Sequence, residues 1–238
     1  TVRPQRWAYE DGIGSNLLRQ PETVRDMVQS VKARLGAGYC VSVKIRIDDD
    51  LAYVACVCTD LCSCTDALVR NALHAGASLI TIHGRTREQS SAADPVNLDG
   101  VRFAIEAANA CGLQTAHGMS PCEDGGAGGV APCVVNGDIW TVDDAHEWRV
   151  RTGARGAMSA RGLLANPALF AGYTRTPRKA VAGFVQRAIA WGLPTALFQY
   201  VTHRFLTQST HCIHARRQPT KPRRVHLLEF ARESSESN

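Results

Sequence analysis

Cys-Val-Ser-Val-Lys-Ile-Arg-Ile, residues 40–47, alternates apolar and polar side chains and is rich in β-branched residues, so it reads as a strand. Ser-Leu-Ile-Thr-Ile-His at 78–83 repeats the pattern and ends on Gly84. A third run, Val-Ala-Pro-Cys-Val-Val at 130–135, closes on Asn136-Gly137-Asp138, and a fourth, weaker one at 154–160 closes on Arg161-Gly162. Segments of helical period lie between them. Following Pro21, a favoured first-turn residue, Val24, Met27, Val28, Val31 and Leu35 form one apolar stripe that Gly36 and Gly38 end. Residues 66–76 and 99–111 have similar spacing, and a shorter helix from Val142 to Trp148 is opened by Asp143 and Asp144. Strand and helix in this alternation predict an α/β fold with parallel strands joined by right-handed crossovers. A closed barrel of this type needs eight units, and four are visible. The sheet is therefore either open or one half of a barrel.

Past residue 175 the strands stop. Ala180–Trp191 and Leu197–Leu206 both read as helices, separated by Gly192-Leu193-Pro194, and predict a smaller all-helical unit. Two stretches interrupt the alternation and are expected to be insertions. One is the cysteine-rich run near 54–64, and the other is 113–129, where Gly125, Gly126, Gly128 and Gly129 crowd together. The organisation expected is a partial barrel over 1–175, a helical domain over 176–230 and a polar tail over 231–238.

Composition sets bounds. The chain has 238 residues, 45% hydrophobic and 21% charged, as a globular protein should. No run approaches the roughly 20 apolar residues of a membrane helix, so no membrane association is expected. Thr1–Arg6 carries two arginines and no apolar stretch, which does not read as a secretory signal, and the first residue is not Met, as in a chain that begins mid-protein. Net charge is +5 with a pI near 8.8, which permits a polyanionic partner without requiring one. The positive charge is concentrated late: Arg204, Arg216, Arg217, Lys221, Arg223 and Arg224 fall between His203 and His226. Cys56, Cys58, Cys62 and Cys64 form a C-x-C-x3-C-x-C pattern without the second pair that zinc sites use, so no metal is expected and the nine cysteines are expected to be reduced.

Ligands of parallel α/β barrels sit at the carboxyl ends of the strands. The four strand ends bring Lys44 and Arg46, then His83, Gly84 and Arg85, then Asn136, Gly137 and Asp138, and lastly Arg161 and Gly162. Singly, each has an ordinary explanation: a packed histidine, an Asn-Gly turn, a surface arginine. Lys44 is the exception, because a lysine inside an apolar strand is rare unless it is paired. Together they describe an anion-binding rim, with cations and glycine loops where a phosphate is customarily held.

Four ordered segments carry a family resemblance: 41–47, Ile-Thr-Ile-His-Gly-Arg-Thr-Arg-Glu-Gln (80–89), Val-Asn-Gly-Asp-Ile (135–139) and Met-Ser-Ala-Arg-Gly-Leu-Leu-Ala-Asn-Pro-Ala-Leu-Phe (158–170). They resemble the signatures of tRNA-dihydrouridine synthases. With Pro-Gln-Arg-Trp-Ala (4–8) they look most like the eukaryotic branch acting at positions 20a and 20b of the tRNA D-loop. The resemblance implies the C-terminal half of a TIM barrel followed by a helical tRNA-binding domain. It also implies an FMN-dependent NAD(P)H oxidoreductase, with NADPH as reductant, in which reduced FMN gives a hydride to C6 of a uracil and a cysteine protonates C5. Carried over, Lys44 and His83 would contact the flavin, and Asn136, Gly137, Asp138, Ala160 and Arg161 would hold its phosphate. Arg85, Arg204, Arg216 and Arg217 would contact tRNA. Such an enzyme is expected in the cytoplasm, with the nucleus also open, and without an obligate protein partner. Two departures stand out. The family's Gly-Cys-Pro-Gln aligns with Val2-Arg3-Pro4-Gln5, which puts Arg3 at the proton-donor position, and the chain starts where the family's fourth strand ends. Arginine, with a pKa above about 12, does not donate a proton near neutral pH. Beside the enzyme reading stand three others: a catalytically impaired RNA-binding relative, a flavin barrel acting on a small molecule, and a metal protein built on Cys56–Cys64.

Overall fold

The computed structural model describes residues 12–48, 64–90, 93–111 and 132–214, with side chains up to residue 207. After a 3-10 turn at Gly14–Arg19 the elements run α1 (Pro21–Leu35), β1 (Ser42–Arg46), α2 (Cys64–His74), β2 (Leu79–His83), α3 (Leu98–Ala110), β3 (Cys133–Asn136), α4 (Val142–Thr152), β4 (Gly156–Met158), α5 (Arg161–Ala165), a 3-10 turn at Leu169–Ala171, α6 (Arg178–Ala190) and α7 (Thr195–His214). The expected α/β alternation is present, and the four expected strands pair in the order β1-β2-β3-β4, all parallel. Among the described residues the sheet is four-stranded and open. The expected insertions near 54–64 and 113–129 lie outside the described residues except for Cys64, which opens α2, and so does the tail at 231–238.

Register separates two faces. Ile45, Ile82, Val135 and Ala157 are in register on one face, against which Leu68 and Val69 of α2 and Val101 and Ile105 of α3 pack. Ile80, Ile82 and Val135 have no exposed surface, and each such side chain contributes about 1.5–3 kcal/mol by leaving water. The opposite face carries a different set: Lys44↔Thr81↔Val134↔Gly156, then Arg46↔His83↔Asn136↔Met158. Period-two alternation thus directs the apolar residues to the helices and the polar ones to the other side. The lower layer of functional residues lies level with the strand ends.

Local chemistry explains the helix limits. Pro21 starts α1, and Gly36 ends it at φ 92°, a conformation costly for other residues. Lys32 Nζ then donates to the carbonyls of Ala37 (3.1 Å) and Tyr39 (2.6 Å), fixing the turn into β1. Asn97 caps α3, its side chain accepting from Gly100 N at 2.8 Å. Thr141 caps α4 in a reciprocal box with Asp144, so the helix is opened by Thr141 and not by Asp143 and Asp144 alone.

The stripe expected on α1 is buried only in part. Val24 and Val28 are in the core, whereas Met27 and Leu35 are more than half exposed. The reason is an apolar groove of about 310 Å³ along the outer edge of β1, bounded by Met27, Val28 and Val31 of α1 and by Val41 and Val43. The third strand begins at Cys133, with Pro132 supplying a carbonyl to Ile80 N at 3.0 Å. Beyond the second 3-10 turn come helices only. Phe184 of α6 stacks on Phe198 at 5.8 Å and meets Phe205 edge-on at 5.3 Å, and α7 packs against α5. Among the described residues no helix is long and apolar enough to cross a membrane.

Candidate functional site

Four strand ends converge as expected, and the structure adds how they are held. Gly84 and Gly137 approach each other around Val96. A Cβ on Gly84 would lie 2.7 Å from Val96 Cγ1, and one on Gly137 would lie 2.8 Å from Val96 Cγ2. Gly137 also has φ 131° and Asp138 φ 48°, so the main chain after β3 takes two successive turns that favour glycine or a short polar residue. Asn136 is buried, and its side-chain amide donates to Met158 O at 2.8 Å, tying β3 to β4. Behind the α5 end, Ser159 Oγ donates to Ile139 O at 2.7 Å. Gly162 has no room at all: its Cβ would lie 2.5 Å from both Ile139 O and Ser159 Oγ.

The Asp138 carboxylate joins two sides of the rim. One oxygen accepts from Arg85 Nη2 and the other from Arg161 Nη2. Arg161 lies over the Trp140 ring, 5.2 Å from its centroid, in a cation–π contact. Arg46 Nη1 donates to the carbonyls of Thr86 (2.6 Å) and Gln89 (3.1 Å) and so anchors the loop after β2. Each oxygen of the Asp138 carboxylate thus accepts from one arginine. The Asp138 side chain links Arg85 to Arg161, and Arg161 and the main-chain amides are the groups of this loop able to donate to an anion.

Arg85 lies deeper than expected. It was expected at an RNA surface, yet it is only 1% exposed, with Nε donating to Asp94 O at 2.7 Å and Nη1 directed at His83 Nε2 at 3.4 Å. No face of it is left for a nucleic acid. Arg204, from α7, lies against the Tyr200 ring at 5.5 Å, and its buried Nε has no hydrogen-bond partner among the described residues. Its charge is close enough to Arg161 to oppose it. Arg216, Arg217 and Arg3 lie outside the described residues.

Electrostatics distinguishes the titratable groups. Burial, and then the charges of Lys44, Arg46, Arg85 and Arg161, push the His83 imidazole down to about 3, so it is neutral at physiological pH. Burial and the Arg46 charge lower the Lys44 ammonium. Lys44 is exposed at the outer strand of the sheet. Burial, the largest cause, lowers Arg161, and Asp138 opposes that. Four cations thus surround one neutral imidazole and one shared carboxylate, an excess of positive charge suited to an anionic ligand. Among the described residues no group of three or more His, Cys, Asp or Glu side chains is placed to hold a metal ion.

The dihydrouridine synthase family model matches residues 4–111 and 130–225. The chain belongs to the dihydrouridine synthase family. The gap in the match, 112–129, coincides with the glycine-rich stretch read as an insertion. This family member is 38% identical over 207 residues to a Schizosaccharomyces pombe protein named tRNA-dihydrouridine(20a/20b) synthase [NAD(P)+], covering 87% of this chain and 53% of that one. It is 39% identical over 197 residues to a human protein of the same name with the suffix "-like", covering 82% and 51%. A tRNA-dihydrouridine(16) synthase of Cupriavidus necator is more distant, 26% identical over 166 residues, covering 70% and 42%. This family member spans about half the length of the curated relatives it matches.

Several residues of the site carry little mark in the sequence. Trp140 gave no signal, since nothing in its neighbourhood marks it as the surface on which Arg161 lies. Val96 was equally silent, and Ser159 was marked only by its place in the 158–170 segment. Thr141 was detectable, because Thr-Val-Asp-Asp fits the S/T-x-x-acid capping pattern.

Proposed function

We propose that this chain is part of a tRNA-dihydrouridine synthase that reduces a uridine in the tRNA D-loop to 5,6-dihydrouridine, with FMN as cofactor and NADPH as reductant. The observation that supports this most is the cationic rim itself: Lys44, Arg46 and Arg161 around a neutral His83, above two glycine loops whose backbone has no room for a Cβ. That donor set suits a dianionic phosphate attached to a planar, electron-accepting ring. Bound there, FMN would supply the hydride that NADPH provides. Arg161 and the main chain of Gly137 and Ala160 would hold the phosphate, with Asn136 holding the loop in shape. Lys44 would place positive charge beside the ring, where it favours an electron-rich state. His83 would contribute a hydrogen bond and no charge.

Partner and setting follow from the same reading. Arg204, with Arg216 and Arg217, would meet tRNA phosphates from a helical unit spanning 176–230, a partial barrel of 1–175 preceding it. The protein would work in the cytoplasm or nucleus. Titrating the chain with FMN and with riboflavin, followed by flavin absorbance, tests the proposal. FMN bound at least tenfold tighter than riboflavin supports a phosphate-reading flavin site; equal or absent binding of both overturns it.

A second reading is favoured by one residue. Arg3 stands where the family's proton-donating cysteine aligns, so the protein would bind flavin and tRNA with uridine reduction impaired. Arg3→Cys distinguishes the two. A gain in dihydrouridine formation supports the impaired reading, and unchanged activity from an already active parent removes it.

A further inference from the structure

Arg85 is among the largest fully buried side chains in the molecule, and each of its three kinds of nitrogen is directed at a different group. Nε reaches Asp94 O, Nη2 reaches Asp138 Oδ2, and Nη1 reaches His83 Nε2. A guanidinium has only donors and keeps its proton throughout the range in which proteins fold. The ring nitrogen it faces must therefore supply a lone pair. The histidine proton is then on Nδ1.

The groups around His83 give an imidazolium no support. From β1 come Lys44 and Arg46, from the strand's own end Arg85, and from α5 Arg161. The nearest acid on the loop after β3, Asp138, already accepts from Arg85 and Arg161. A second proton on the ring would have to displace Arg85 from Nε2, and Arg85 is held from behind by Asp94 O and Asp138.

We propose that Arg85 is a positioning residue that, clamped by Asp138 and the Asp94 carbonyl, fixes His83 as the neutral Nδ1–H tautomer, so that His83 meets its ligand as a hydrogen-bonding group and never as an acid. That the ligand is a flavin rests on the function proposed above; the tautomer does not. The clamp also connects the phosphate end of the site to its ring end. Asp138 holds Arg161 with one oxygen and, through Arg85, His83 with the other.

The test is a long-range proton–nitrogen correlation spectrum of the ring-labelled chain, without cofactor, from pH 8 to the onset of acid unfolding. His83 is assigned as the signal lost in His83→Asn among the eight histidines. The expected spectrum shows His83 neutral, protonated at Nδ1, and untitrated until well below pH 5. In Arg85→Lys, which keeps the charge but loses the planar fork, and in Asp138→Asn, which loosens the clamp, signal moves toward the Nε2–H tautomer. An Nε2–H pattern in the parent chain overturns the proposal, as does a titration near the ordinary value of about 6.5. So does an Nδ1–H tautomer that survives in both variants when circular dichroism shows them folded. If neither variant folds, the parent spectrum alone decides. Failure of flavin binding appears separately, as missing flavin absorbance, and leaves the tautomer result standing.

Discussion

Gly162→Ala adds one methyl group at the most crowded glycine of the site. The new Cβ would lie 2.5 Å from Ile139 O, 2.5 Å from Ser159 Oγ and 3.0 Å from Leu169 Cδ1. Carbon atoms in good contact are about 3.5–4.0 Å apart, so several groups must move together. Overpacking of this kind costs about 1–3 kcal/mol. Displacing Ser159 also breaks its 2.7 Å bond to Ile139 O, worth about 1 kcal/mol. Alanine returns up to about 1 kcal/mol through its better helix propensity in α5. The net expectation is a loss of about 1–3 kcal/mol. Urea unfolding followed by tryptophan fluorescence measures it, and Gly183→Ala in α6 is the control. There the Cβ meets only the flexible end of Arg187, at 3.2 Å, so that variant should be neutral or slightly more stable. Adding Ser159→Ala to Gly162→Ala should restore only part of the loss, because the Ile139 oxygen is main chain. A Gly162→Ala protein as stable as the Gly183→Ala control would refute the steric argument.

Three further outcomes are expected. His83 is depressed from about 6.5 to about 3 in the folded chain, so between those values the unfolded state binds a proton that the folded state does not. Its contribution is therefore intact above about pH 6.5 and is lost as pH falls, by at most about 1.4 kcal/mol per pH unit, and His83→Asn should flatten the urea midpoints between pH 7 and 5. Arg161→Ala should weaken FMN binding about tenfold or more while leaving riboflavin binding unchanged, as flavin absorbance titrations would register. Ile82→Ala, at a position with no exposed surface, should cost about 2–5 kcal/mol in urea unfolding, against under 1 kcal/mol for Met27→Ala at the exposed edge.

Period and punctuation made the order of elements legible. Alternation at 40–47 and 78–83 forecast β1 and β2 to within two residues, because β-branched residues on a half-buried surface leave that mark. The rim was legible on three strands for the same reason: Arg46, His83 and Asn136 are the last residues of β1, β2 and β3 and are polar. Local spacing fixes the face on which a residue lies and leaves its partner undetermined. Arg85 and Arg204 are both arginines beside ring side chains, yet one is sealed under Asp138 and the other is on α7 with an unpartnered nitrogen. Asp138 follows Asn136-Gly137 in an ordinary turn sequence, and nothing local announces that the two guanidiniums occupying it come from 53 residues before and 23 after. Met27 and Leu35 fit the apolar stripe, but what covers a stripe is a tertiary fact.

Lys44 and Arg46 are the charged residues of β1, the outermost strand among the described residues. Among the described residues β1 pairs on one side only and lies beside the apolar groove. Charges on such an edge are what keep sheets from joining one another, since a strand added there would have to desolvate them. A Lys44→Leu form of this chain is therefore expected to self-associate on concentration, as light scattering would register, and to bind flavin more weakly.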